Sequence, residues 1–580
     1  MSALVWVVGV LALVLGMPAR AGSGPSAWGL GAMEKVRPQT PPGDGSRVQL
    51  FAARNEFVSF QVGLHGGDWG WPGVSARLSA LEGPGRIEGG DLVLYRETLV
   101  PVAHQSLSGV EVGAWPDGLV PDTDETVGEK RLAFPLDVPA HESRALWVDV
   151  HVPMGAPPGD YHGSVEVVGG GSFARVEVSL TVVDWVMPST SSLRTSFSVW
   201  TPSLCMAFTG QRECSREEQL RLSSDFLKLG LEHRITLSSR FDPQDRPDWA
   251  TFDTWWGPYV EGLAPLRLPG ARMTSVEYLG DFTAEALADF GVQAGARGWL
   301  PRALSFPGDE PPYGISFDEV RARARLSRQA EPRLRTVLTI SSLQELERQG
   351  LSELIDIATV TVIWLYTMPE QRVGAGAISR YEAFLGRRER ELWVYQSCVT
   401  HGCGGAAPGG DWPSYMVDRP SSSARALEWI SFQVGATGEL YYQVAQMLST
   451  AWTNQNAFGG FGDGTLFYPG TVSAIGGSTG VPLPSMRLKL IRLGMQDYEW
   501  LKAVGDAGDA AFARGVAQEL IPTPWQVPGD GELFERSRVL LIQRYLTLMG
   551  AAVPESVTAY LREHPGPPTR DLFTPVRSAE

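Results

Sequence analysis

The chain has 580 residues, 43% of them hydrophobic and 20% charged, the composition of an ordinary globular protein long enough to bury two or three cores. Its formal net charge of −16, without a basic cluster, argues against nucleic acid or an anionic membrane surface as partner, since both demand concentrated Lys and Arg. The four cysteines fall into two close pairs, Cys205 with Cys214 and Cys398 with Cys403, which an oxidising compartment would close into short disulfide loops.

The amino-terminal residues form an apolar run, Leu4 to Met17, followed by Pro18-Ala19-Arg20-Ala21, a small-x-small ending that suits signal peptidase. This predicts a signal peptide over residues 1–21, cleaved after Ala21, and a protein exported to the periplasm or beyond. No Lys or Arg precedes the apolar run, so an uncleaved anchor is the alternative. No later segment approaches the apolar length that spans a bilayer.

From Arg47 to Val186 short alternating apolar runs are separated by Gly, Pro and Asp turns, the pattern of an antiparallel β-sandwich, here assigned to residues 22–187. Pro188 to Arg194 reads as a linker. Beyond it strand-like runs alternate with amphipathic helical stretches, which predicts a (β/α)8 barrel of TIM type over residues 188–550. The candidate strands are Thr195 to Trp200, Arg234 to Ser238, Met273 to Leu279, Leu300 to Phe306, Thr336 to Ile340, Val360 to Leu365, Leu392 to Gln396 and Glu439 to Val444. Helices are expected over Arg216 to Leu229, Phe317 to Arg328, Ser485 to Val504 and Leu533 to Met549. Residues 551–580, with Pro554, Pro565, Pro567 and Pro568, read as a loosely held tail.

In such a barrel the reacting groups sit where strands end and loops begin. The fourth candidate strand ends in Leu304-Ser305-Phe306-Pro307-Gly308-Asp309-Glu310-Pro311-Pro312, two neighbouring carboxylates on an irregular backbone. Irregularity matters, because on a regular strand adjacent side chains point to opposite faces. Cleaving a glycosidic bond needs a proton donor for the leaving oxygen and a group that stabilises positive charge at the anomeric carbon, tasks suited to two carboxyls, of which proximity keeps one protonated. Asp309 and Glu310 are therefore the candidate catalytic pair, the alternative being that they cap the next helix.

Sugar faces also need flat apolar surfaces, and aromatics stand at several inferred strand ends: Trp200, Trp364, Tyr366, Trp393, Tyr395, Tyr441, Tyr442 and, further on, Trp452. For each of them core packing is the competing explanation. Gly476-Gly477-Ser478-Thr479-Gly480 has the spelling of a nucleophile elbow, but Pro482 and Pro484 stand where the elbow's helix would start, so it reads as a loop. Cys398, His401 and Cys403 lack a second ligand pair that would complete a metal site, and His401 reads as a surface residue; no metal or cofactor is called for.

Several segments resemble glycoside hydrolase family 123 and its uncharacterised relatives. They are Trp393-Val394-Tyr395-Gln396-Ser397-Cys398, Asp418-Arg419-Pro420 with Arg425 and Trp429, Gly464 to Gly470, and Ser485 to Leu501. Ala52 to Phe57, Leu146 to Val150 and Pro158 to Tyr161 are similar to the β-sandwich preceding that family's barrel, so that the resemblance covers most of residues 48 to 501. It implies a retaining β-N-acetylhexosaminidase of the β-N-acetylgalactosaminidase kind, with a 2-acetamido glycan as partner. It further implies a substrate-assisted mechanism: Glu310 as acid and then base, and Asp309 orienting the acetamido group that attacks the anomeric carbon. Leu440-Tyr441-Tyr442-Gln443 departs from the relatives' aromatic-tryptophan pair and leaves another sugar open. Two other readings stand beside this one, a carbohydrate-binding protein without turnover and a same-fold glycosidase acting on a non-acetylated sugar.

Overall fold

The computed structural model describes residues 23–239, 248–278, 280–365, 378–387, 389–401, 403 and 409–566. The proposed signal segment lies outside the described residues. Among those described, no helix is long and apolar enough to cross a membrane.

Two facing sheets are built from β1 (Ser26–Gly31), β2 (Arg47–Arg54), β3 (Glu56–His65), β4 (Trp71–Leu78), β5 (Leu92–Val102), β6 (Gly113–Pro121), β7 (Leu136–Val138), β8 (Ser143–Val152), β9 (Gly159–Gly169) and β10 (Ser172–Val186), with the two-residue strands Leu81–Glu82 and Arg86–Ile87 attached to β9. One sheet runs β1-β3-β8-β5-β6 and the other β2-β10-β9-β4-β7, antiparallel throughout except where β2 joins β10. Alternation sets the core: Leu146, Val148 and Val150 of β8 meet Val165, Val176 and Leu180 between the sheets. The opposite face of β8, with Trp147 and Asp149, is buried as well, because it lies on the second half of the chain.

That half holds β11 (Arg194–Val199), β12 (Leu237–Ser239), β13 (Val276–Tyr278), β14 (Ala303–Ser305), β15 (Arg335–Ile340), β16 (Ile357–Thr361), β17 (Glu391–Tyr395) and β18 (Gly438–Tyr441). All pair in parallel in the order β12-β11-β18-β17-β16-β15-β14-β13, a nearly closed barrel. Among the described residues no ladder joins β12 to β13. There Thr274 N–H donates to Thr236 Oγ1 (2.8 Å), and the two threonine hydroxyls lie 2.9 Å apart. Each predicted strand overlaps an observed one: the first and seventh keep their length but begin one residue earlier, the fifth gains a residue, and the others are shorter. The sixth is displaced, since Val362–Trp364 leaves β16 as a 3₁₀ turn.

Between the strands run α1 (Thr201–Thr209), α2 (Arg216–Glu232), α3 (Trp249–Trp255), α4 (Ala284–Ala296), α5 (Phe317–Ala330), α6 (Leu343–Arg348), α7 (Ile378–Leu385) and α8 (Leu427–Val434). Side-chain oxygens of Ser215, Thr283, Ser316 and Ser342 cap four of them by accepting first-turn backbone N–H groups. After β18 come α9 (Met486–Val504), α10 (Gly531–Leu548) and α11 (Glu555–Glu563). The stretch expected to be a loose tail is structured as far as residue 566: α11 buries Val557, and Tyr560 meets Phe51 of β2 edge-on at 5.2 Å.

Helix α9 lies between the barrel and the sandwich, so its charged side chains are buried and need partners. Arg487 donates from Nη2 to Asp117 Oδ2 of β6 (2.7 Å), and Lys489 and Arg492 reach Asp149 of β8 (2.7 and 2.8 Å). Gln496 bonds both the N–H and the C=O of Phe57 in β3. From α10, Arg538 pairs with Glu56 (2.6 Å), which also accepts from Trp500 Nε1 (3.2 Å).

Candidate active site

The acid pair stands on the loop between β14 and α5. Ser316 caps α5, accepting from Glu319 N–H, so Asp309 and Glu310 do not start that helix. The loop folds tightly: a β-carbon on Gly308 would lie 2.5 Å from Ile315 Cγ2. At its crest Glu310 takes φ of +41°, a left-handed conformation that strains an L-residue by roughly 1–2 kcal/mol. Both carboxylates are exposed there.

One hydroxyl from the next strand orders them. Thr339 of β15 donates from Oγ1 to Asp309 Oδ1 (2.7 Å) and accepts the backbone N–H of Glu310 (2.9 Å). From β17, Tyr395 Oη donates to Glu310 Oε1 (2.6 Å). Burial and the Glu310 carboxylate hold the Tyr395 phenol well above its ordinary pKa of 10, so it remains a neutral donor. Among the described residues each acid keeps its second oxygen without a protein donor. The arrangement thus offers two differently anchored carboxylates on one spot of the strands' carboxyl end.

Of the predicted aromatics, Tyr395 touches the pair directly. Trp200, 47% exposed, ends β11 and lines a hollow of about 200 Å³ with Gln446 and Ser449 from the loop after β18. Trp364 is half-buried on its 3₁₀ turn, its carbonyl accepting from Tyr381 Oη (3.0 Å), and Tyr442 is half-buried at the end of β18. Tyr366 lies outside the described residues.

Three predicted sugar contacts are structural instead. Trp393 fills the barrel interior with Leu304, Val337 and Ile357, and its ring takes the space that a β-carbon on Gly438 would need (2.3 Å). Tyr441 is fully buried on the other face of its strand, donating to Asp463 Oδ1 (3.2 Å) and accepting Gly464 N–H (2.7 Å). Trp452 packs on Tyr468 (4.6 Å) against Val100 and Val120 of the sandwich and donates to Pro469 O (3.0 Å).

Cys205 pairs with Cys214 and Cys398 with Cys403, which removes the second pair as metal ligands. His401, inside the second loop, is buried rather than on the surface, its Nε2 3.5 Å from Asp463 Oδ2. Burial pushes His401 down to about 4 and Asp463 up to about 6. Ser478 of the glycine-rich loop donates to Glu129 Oε1 (2.6 Å) and serves as a tie to the sandwich.

Thr339 escaped sequence reasoning because a threonine within a strand reads as β-propensity. Phe458, 56% exposed and edge-on to Tyr442 at 5.9 Å, escaped because it lies in a loop outside any candidate strand end.

No family model matches the chain, and no curated protein matches it. Among solved structures it is similar to a family 123 glycoside hydrolase from Clostridium perfringens studied for glycolipid glycan hydrolysis, with 13% identity and a TM-score of 0.64 over 93% of this chain and 99% of that one. A β-glucuronidase 2 mutant from Bacteroides uniformis also matches, at 12% identity, with a TM-score of 0.25 over 72% of this chain and 46% of that one, too low to bear on the fold. In fold, then, the chain is similar to a family 123 glycoside hydrolase over nearly its whole length.

Proposed function

We propose that the protein is a glycoside hydrolase, a retaining, substrate-assisted β-N-acetylhexosaminidase that works outside the cytosol, where its two disulfides form. The observation that carries this reading is the pair Asp309–Glu310, each acid fixed by its own donor, Thr339 or Tyr395, at the end of β14. We read the barrel as TIM type, whose reacting groups gather at that end. The glycan of a glycolipid, hydrolysed by the similar Clostridium protein, is a fitting substrate class.

In the first step the substrate's acetamido oxygen attacks the anomeric carbon, and the bond to the leaving oxygen breaks as Glu310 gives that oxygen its proton. Asp309 accepts a hydrogen bond from the acetamido N–H as positive charge develops on the ring being formed. In the second step water attacks the anomeric carbon, the bond to the acetamido oxygen breaks, and the water's proton goes to Glu310, restoring the acid. Anchoring both carboxylates in advance lowers the reorganisation needed at the moment of reaction.

Purified protein is tested on chromogenic β-glycosides. Hydrolysis confined to 2-acetamido sugars, with kcat/KM lowered roughly 10²–10⁴-fold in Glu310→Gln, is the outcome this mechanism predicts. Equal activity of that variant and the wild type would refute the assignment.

A further inference from the structure

After β18 comes a short hairpin. Its strands, β19 (Asn456–Ala457) and β20 (Gly460–Phe461), pair Asn456 with Phe461 and Ala457 with Gly460. Phe458 and Gly459 alone make the turn, with φ of +49° and +84°. Two positive φ values are what a two-residue hairpin loop of type I′ demands, and Asn-Gly or Gly-Gly normally meets the demand, because a β-carbon crowds the backbone there. Phenylalanine is worse on both counts: its backbone is strained, and its ring stands 56% exposed. A strained residue holding a large apolar group in solvent points to a use that only the ring supplies.

The hairpin is braced from behind. The Phe458 ring meets Tyr442, which backs onto Tyr441 at 5.4 Å. Gly460 leaves room for His401, whose Nε2 would lie 2.7 Å from a β-carbon there, and the His401 ring faces the Phe458 backbone. The Cys398–Cys403 disulfide closes the loop that carries His401. On the sandwich side Phe461 N–H donates to Ser106 Oγ (2.8 Å), and His104 packs on the Phe461 ring at 4.8 Å.

Strand β18, from which Tyr442 extends, neighbours β17, whose Tyr395 holds Glu310; on its other side lies β11, which ends at Trp200. Tyr442 directly follows β18 as the acid pair follows β14, so the Tyr442–Phe458 wall stands at the same carboxyl end of the barrel as the acids. A sugar positioned for attack must sit against the carboxylates, and an exposed aromatic ring elsewhere at that end of the barrel is placed to meet the next sugar along.

We propose that Phe458, backed by Tyr442, is the platform on which the leaving sugar of the substrate stacks, a specificity element for glycans of two or more rings. The inference rests on the glycosidase reading above. A flat aromatic face presented to water matches the apolar C–H face of a pyranose and tolerates several sugars.

The test compares two substrates of one series: a disaccharide, β-linked N-acetylgalactosamine or N-acetylglucosamine on galactose, and the corresponding methyl glycoside, which lacks the second ring. Phe458→Ala is expected to raise KM for the disaccharide about tenfold with kcat changed less than twofold, and to affect the methyl glycoside less than threefold. Phe458→Trp should keep KM for the disaccharide near the wild-type value. Phe458→Gly, which relieves the turn, should raise Tm while losing affinity as Phe458→Ala does. Equal losses on both substrates, or no loss on the disaccharide, overturn the platform and leave the glycosidase reading standing. A wild type that cleaves neither series overturns both.

Discussion

A single hydroxyl, that of Thr339, organises the acid pair, since it donates to Asp309 and accepts from the backbone of Glu310. Thr339→Val keeps the side-chain shape and removes both bonds. It should lower kcat/KM by roughly 10–100-fold, the price of misplacing a reacting group by a fraction of an ångström. Tyr395→Phe frees one oxygen of Glu310 and should lower kcat by about tenfold, with Tm close to that of the wild type in both variants. Initial rates and thermal melts decide; full activity of Thr339→Val would show that the pair does not depend on this anchor. The pair itself was legible in the sequence because Pro307, Gly308, Pro311 and Pro312 mark an irregular backbone around two adjacent acids. The aromatics were legible only as types. Which of them stand at the surface depends on strand parity and depth, and a shift of one residue sends a ring to the opposite face, as it does for Tyr441 against Tyr442.

At the scale of elements, the rhythm of apolar runs located all eight barrel strands, but the run Val360 to Leu365 hid a strand end, because apolar residues in a 3₁₀ turn look like strand. Strand β18 also carries Glu439, buried opposite Glu428 of α8, with Tyr415 Oη donating to it. Burial pushes Glu439 up to about 8, and burial with the Glu439 charge holds Glu428 well above the usual carboxylate range. An acid whose pKa is raised in the folded state binds its proton more tightly there. Its stabilisation is full below the unfolded value near 4.5 and is lost as pH climbs towards 8. Glu439→Gln keeps an acceptor for Tyr415 and removes the charge. Unfolding by urea at pH 5 and pH 8 should show the variant gaining on the wild type between the two, by on the order of 1–3 kcal/mol in favour of the higher pH. An equal difference at both pH values would exclude the titration as its cause.

Across the whole molecule the segments that carry the family resemblance, Ala52 to Phe57, Leu146 to Val150 and Ser485 to Leu501, supply Glu56, Asp149, Arg487, Lys489, Arg492 and Gln496 to the seam between sandwich and barrel. Sequence alone gave no warning of this, because charged residues spaced along a helix ordinarily mark a solvated face. Arg487→Met strands Asp117 without its ion pair in a buried setting and should cost about 3–5 kcal/mol. Because those contacts bind the sandwich and the barrel to each other, calorimetry should find one unfolding transition in the wild type and in the variant, at a lower temperature in the latter. Two separate transitions in the wild type would mean that the halves fold independently. The alternating sandwich and the strand-helix rhythm were readable from periodicity; the gap between β12 and β13 was not, as it is closed by side chains of Thr236 and Thr274.

Trp393 has one more consequence. Below the acids the indole plugs the interior, and beneath it Glu391 accepts from Trp393 Nε1 (3.2 Å) while pairing with Arg194 (3.4 Å) and Arg335, so the barrel is shut at that end. On the proposed mechanism, the departing aglycone and the incoming water must then use one doorway in turn. Whatever nucleophile stands in that doorway when the first product leaves, a second sugar included, competes with water for the sugar left behind.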